Sequence, residues 1–293
     1  MKVFSFISIL FFISTISVDQ NLRPYVIAER WSSSFEEAKS AVSTALVNNG
    51  FTIAGDYSPD HCSDCHVFAI TCSELQSAVR AKGGRTAYAA ALRVAVTMEG
   101  NEAIVTYTNP AYWGNAYFRK SFPQVKSHYD NIQRKLSSAF SGNVTFGSKK
   151  GHSIKKLRGY NYMFGMPAFD DDIQVGSFTS YENAKTSVLK NLRQSSELTK
   201  VYEVNFDDME LTLIGVGLGG SEGEKNFMPT IDISKPKHTP FLPYELLIKG
   251  NKAYMLHGRF RIALSFPDLS MGTFMKIVST PGNIEEAMES LCK

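Results

Sequence analysis

What most constrains the fold of this chain is an internal repeat. Phe35-Glu36-Glu37-Ala38-Lys39-Ser40-Ala41-Val42 returns as Tyr181-Glu182-Asn183-Ala184-Lys185-Thr186-Ser187-Val188. In both copies the apolar positions (Phe35, Ala38, Val42 and Tyr181, Ala184, Val188) fall at helical spacing. Ser34 and Ser180 stand one residue ahead, where a hydroxyl caps a first turn. The first helix stops at Asn49-Gly50, and strand-like Phe51-Thr52-Ile53 follows. A second shared element is a hairpin. Leu92-Arg93-Val94-Ala95-Val96-Thr97 and Ala103-Ile104-Val105-Thr106-Tyr107 flank Gly100-Asn101; Tyr244-Glu245-Leu246-Leu247-Ile248 and Ala253-Tyr254-Met255-Leu256 flank Gly250-Asn251. Gly-Asn between β-rich runs supplies the positive backbone angles of a tight turn.

Each hairpin leads to a proline, Asn109-Pro110 in one half and Phe266-Pro267-Asp268 in the other, and then to an amphipathic helix. Val125, Tyr129, Ile132 and Leu136 make one apolar stripe, and Ile284, Ala287, Met288 and Leu291 the other. Helix, strands, hairpin and helix, twice over, predict an α+β chain: two tandem antiparallel sheets with helices packed on one face. The predicted divisions are a signal peptide over 1–17, a first domain over 18–141, a linker over 142–172 and a second domain over 173–293. The linker starts basic and turns aromatic at Tyr160, Tyr162 and Phe164, which should pack it back on the domains.

The helix beginning Phe35-Glu36-Glu37-Ala38, the Gly50-Phe51 strand, the hairpin and Asn109-Pro110 resemble the family called domain of unknown function 302. His257-Gly258-Arg259-Phe260-Arg261-Ile262-Ala263-Leu264-Ser265-Phe266-Pro267-Asp268 looks like exported bacterial proteins that carry two such domains. The resemblance implies a TATA-binding-protein-like fold, often paired about a pseudo-twofold axis, and it implies no activity.

Met1-Lys2 followed by the apolar run from Val3 to Ile13 reads as an export signal, with Thr15 and Ser17 positioned for a cut before Val18. The run is short for a bilayer span, and no later segment approaches one. The expectation is an exported protein, periplasmic or secreted, with no integral membrane segment after cleavage. A net charge of +3 is too small for a nucleic-acid binder.

Two groups of residues can carry chemistry. His61-Cys62-Ser63-Asp64-Cys65-His66 contains Cys-x-x-Cys-His, the attachment pattern of c-type haem. The same residues have two other readings. In an oxidising compartment Cys62, Cys65, Cys72 and Cys292 form an even set open to disulfide pairing. His61, Cys62, Cys65 and His66 also suit zinc or copper. The second group assumes that Leu256–Phe266 is a strand. Leu256, Gly258, Phe260, Ile262, Leu264 and Phe266 would face the core, and His257, Arg259 and Arg261 would form a cationic row on the other side. Glu245 on the preceding strand faces the same way, and His238 can join from a loop. Two guanidinium forks and an imidazole suit a carboxylate or phosphate. No Ser-His-Asp order or other catalytic motif stands out. The expected function is a non-enzymatic binding module for a small anionic ligand or a partner protein; the alternative is a haem- or metal-binding protein.

Overall fold

The computed structural model describes residues 21–293, so the expected export signal lies outside the described residues. The first half runs β1 (Tyr25–Trp31), α1 (Phe35–Asn48), β2 (Thr52–Tyr57), β3 (Cys65–Thr71) and α2 (Ser73–Arg80). A 3-10 turn at Gly84–Ala89 leads to β4 (Leu92–Glu99), β5 (Glu102–Thr108), α3 (Pro110–Phe118) and α4 (Phe122–Ala139). After β6 (Val144–Phe146) and α5 (Ile154–Arg158), the second half runs β7 (Ile173–Ser177), α6 (Tyr181–Gln194), β8 (Leu198–Phe206), β9 (Leu211–Leu218) and α7 (Glu224–Ile231). A further 3-10 turn at Thr239–Phe241 precedes β10 (Tyr244–Lys249), β11 (Lys252–Met255), α8 (Gly258–Ser265), α9 (Met271–Met275) and α10 (Thr280–Ser290).

The fold is α+β, as expected, and the repeat extends to topology. One sheet has the order β2-β3-β4-β5-β1-β6, the other β8-β9-β10-β11-β7 read from the opposite edge, and every pairing is antiparallel. Five strands therefore occupy equivalent places in each half. The reason is visible locally. Ser34 accepts from the Glu37 amide at 3.3 Å while Glu37 accepts from the Ser34 amide at 3.0 Å, and Ser180 caps α6 through the Asn183 amide at 3.1 Å. The apolar stripes Ala38-Val42-Leu46 and Tyr181-Ala184-Val188-Leu192 are buried, and α1 and α6 pack on equivalent strands. Among the described residues no helix is long and apolar enough to cross a membrane.

Two expectations change. The segment 142–172 is held by more than the expected aromatics: β6 pairs with β1, Arg158 donates to Asn115 Oδ1 at 2.8 Å, and the Tyr160 hydroxyl donates to the Ala263 carbonyl at 3.0 Å. Of its aromatics Tyr160 and Phe169 are buried, whereas Tyr162 and Phe164 are exposed. The other change is larger. Residues 258–265 form α8, not a strand, and His257 is its cap, its Nδ1 accepting from the Arg259 amide at 3.2 Å. The alternation misled because α8 is short and buried on several sides, so tertiary packing erases the one-sided stripe of a surface helix. Its equivalent is α3, which follows β5 as α8 follows β11 and is capped by Asn109. The repeat partner of Asn109 is thus His257, not Phe266.

The halves are tightly joined. The 3-10 turns are exchanged: Gly84–Ala89 packs on β9 and β10, while Thr239–Phe241 packs on β3, β4 and β5. Thr97 and Thr239 hydroxyls meet at 2.7 Å, and the Tyr112 hydroxyl of α3 donates to the Leu264 carbonyl of α8 at 2.7 Å. At the sheet edges β2 crosses so close to β8 that a β-carbon on Gly55 would lie 1.9 Å from the Val201 carbonyl oxygen. Beside that crossing, the Glu224 carboxyl accepts from the Tyr57 hydroxyl at 2.8 Å and from the Asp60 amide at 3.2 Å.

Candidate functional site

The expected cationic row divides into three fates. Arg261 is buried with Glu245 between the halves, each with its side chain 1% exposed. Glu245 Oε1 accepts from Arg93 Nη1 at 2.7 Å and from the Tyr202 hydroxyl at 2.6 Å, and Oε2 accepts from Arg261 Nη1. Arg261 Nη2 also donates to the carbonyls of Phe241 and Pro243, at 2.6 and 2.5 Å, and Arg93 Nε donates to Pro240 at 3.3 Å. Burial by itself raises the Glu245 carboxyl, but the Arg93 and Arg261 guanidiniums outweigh it and hold the group below its usual range. Arg93 and Glu245 occupy matching positions in the two hairpins, so the ion pair joins one repeat to the other. This cluster is the centre of the domain interface, and no free ligand reaches it. His257 is half-buried as a helix cap, and burial lowers its pKa, with Arg259 adding to the shift. Arg259 lies on the rim of an apolar slot described below.

The cysteine motif is oxidised. Cys62 and Cys65 are bonded to each other, while Cys72 and Cys292 are free thiols, both raised by burial, to about 11 and about 12. A bonded pair offers no thiol for haem attachment and no thiolate for a metal. His66 Nδ1 sits 3.2 Å from Ser58 Oγ and its Nε2 3.1 Å from Asp56, and burial lowers its pKa against the pull of Asp56. His61 is lowered by burial as well. Among the described residues no three His, Cys, Asp or Glu side chains converge as metal ligands.

The remaining expected residue, His238, lines a cavity of about 670 Å³. It is built from β6 and the loop after it, the loop following α7, and the turn between α8 and α9. The His238 ring is held on two sides. Asp232 accepts from its Nδ1 at 2.7 Å and from its backbone amide at 2.9 Å, and Tyr25, Phe146 and Phe266 surround it at ring distances of 5.1, 5.6 and 4.8 Å. A carboxylate accepts only, so Nδ1 is the donor to Asp232 and Nε2 is the ring atom left for a ligand. Gly147, at φ +94°, keeps Nε2 uncovered: a β-carbon there would lie 3.2 Å from it.

The charged residues in the rest of the lining are mainly cationic. Arg23, Lys149 and Lys235 face the cavity together with one carboxylate, Asp268. Arg23 donates only to neutral oxygens, the carbonyls of Ser148 and Lys149 at 2.7 and 3.1 Å and Thr145 Oγ1 at 3.3 Å, so its charge is not cancelled locally. Asp268 accepts from the Lys149 amide at 2.6 Å and from Ser148 Oγ at 3.2 Å, which orders the loop at the mouth. Of these residues the sequence reading named His238 as a possible site member and Lys149 only as part of a basic stretch, and it did not single out Asp232, Arg23 or Lys235. The one local signal was Asp232 six residues before His238, too common a spacing to single out.

No family model matches this chain, and no curated protein matches it in sequence. The fold and the cavity together define a tandem-repeat α+β protein with a cationic, histidine-containing cleft where the halves and the intervening segment meet.

Proposed function

We propose that this protein is a binding module for a small anionic ligand, carboxylate or phosphate, held in the cavity that His238 lines. The observation that carries the reading is an imidazole fixed by Asp232 with its Nε2 open to a space that holds three cations and one carboxylate. Cations on rigid walls favour an anion through charge-assisted hydrogen bonds, while the fixed imidazole sets the orientation of one hydroxyl or oxygen. The site proposed from sequence thus moves from the Arg259–Arg261 face to the cleft, and His238 is the member it keeps. The module acts outside the cytoplasm in this reading, supported by the Cys62–Cys65 disulfide and by the apolar start of the chain. Kinship with the domain of unknown function 302 family is part of the same reading, and the doubled strand order supports it.

The test is calorimetric titration of the purified protein with short carboxylates and inorganic phosphate. Binding should weaken about ten-fold in Lys235→Glu, a loss of about 1.4 kcal/mol, and should fall as ionic strength rises. Titrations that show no heat for any small anion, or an affinity unchanged in both Lys235→Glu and His238→Ala, would refute it.

A further inference from the structure

A second, smaller space of about 190 Å³ adjoins the cationic cavity, and the two share the walls Phe266 and Leu269. Its lining is almost wholly apolar: Ile262 and Ala263 of α8, Met271, Phe274 and Met275 of α9, and Tyr162 from the intervening segment. Arg259 is the one charged residue along it. The slot lies open at the surface, where Met271 and Met275 are 46% and 57% exposed, with Val278 beside them at 46%. A contiguous exposed apolar patch of this kind marks a binding surface, and methionine side chains adapt their shape to a flexible partner.

Resting on the cavity reading above, we infer that the ligand is an amphiphile: an anionic head lies in the cleft beside His238, Lys149 and Lys235, and a single aliphatic chain lies in the slot formed by α8 and α9. Charge placement selects this occupant. The apolar slot adjoins, across Phe266 and Leu269, a cavity with three cations and one carboxylate, so a molecule with charge at one end and hydrocarbon at the other fits both. A second copy of the chain docking here about a twofold axis would bring the same lysines together with no added counter-charge. Taking a methylene as about the size of a water, ~30 Å³, the slot holds roughly six methylene groups.

The experiment titrates the full chain with butanoate, octanoate and dodecanoate below their micelle concentrations, and with octanol as the uncharged control. Butanoate should bind weakly, and affinity should rise about four-fold per added methylene until the slot is full, so that dodecanoate adds less per carbon than octanoate. Met275→Asp, at an exposed position that tolerates the change, should remove the chain-length gain and leave butanoate binding as it was; Met271→Asp should do the same. Lys235→Glu should weaken every carboxylate alike. Butanoate binding with no gain on lengthening would overturn the amphiphile and leave the cavity reading standing, whereas no binding by any carboxylate would remove both. Octanol binding as tightly as octanoate would overturn the assignment of the head. Flotation with phosphatidylglycerol vesicles but no uptake of monomeric octanoate would overturn it in favour of a membrane surface. A dimer dissolved by Met275→Asp, again without octanoate uptake, would overturn it in favour of a second copy.

Discussion

Replacing Glu245 by alanine removes the one carboxylate that neutralises Arg93 and Arg261 between the halves. Both guanidiniums keep carbonyl partners at Pro240, Phe241 and Pro243, but neither keeps a counter-charge, and the Tyr202 hydroxyl loses its acceptor. Breaking a buried ion pair from one side costs about 3–5 kcal/mol. Because Glu245 serves two cations, Glu245→Ala should fall at the upper end, about 5 kcal/mol. That is a large part of the roughly 5–15 kcal/mol that separates folded from unfolded domains. The assay is urea unfolding, followed by circular dichroism, with the slope checked so that a shifted midpoint reports stability. The apolar triple Arg93→Met, Glu245→Leu, Arg261→Met should recover most of the loss, since a well-packed hydrophobic replacement leaves no charge unpaired. Arg93→Ala combined with Glu245→Ala should show a coupling above about 1.5 kcal/mol. A Glu245→Ala cost below about 1 kcal/mol, with an unchanged slope, would mean that water reaches the triad and that the halves do not pack as described.

Three further outcomes are expected. Burial raises the Glu224 carboxyl to about 7, against the hydrogen bonds it accepts from Leu218, Tyr57 and Asp60. The folded state then keeps a proton that the unfolded chain releases near the ordinary value of 4.5, so stability falls as pH rises from about 4.5 to about 7, by roughly 3 kcal/mol in all. Urea midpoints across that range should show the fall in the native protein and a flatter profile in Glu224→Gln; equal profiles would refute it. Intact mass under non-reducing conditions should be two protons below the fully reduced value, with Cys62–Cys65 as the bonded peptide pair, and Cys72 should react with alkylating reagents only after unfolding, because it is buried. Ser34→Ala should destabilise by about 1 kcal/mol through loss of the capping box, read as a lowered urea midpoint.

What the sequence by itself determined is the repeated unit. Helical spacing around Phe35 and Tyr181, serine caps one residue ahead and Gly-Asn hairpins are local features. Their energetics are set within a few residues, so they survive in any tertiary context. The pairing of Cys62 with Cys65 was legible as one of three readings, because a separation of three residues serves a disulfide, a haem or a metal equally well; only the geometry of the loop before β3 chose among them.

Tertiary structure decided the rest. Leu256–Phe266 carries a period of two that reads as a strand, yet it folds as a short helix because it is enclosed by the other half and the intervening segment, so its pattern records burial rather than secondary structure. Arg261 looks like a ligand-binding arginine in the sequence. It becomes an interface residue because Arg93, from the matching hairpin of the other repeat, arrives on the far side of Glu245. The cationic cavity draws Arg23, Lys149, Lys235 and His238 from segments more than a hundred residues apart at their extremes. No spacing rule links such positions, since only the docking of two sheets through their exchanged turns brings their charges to one wall.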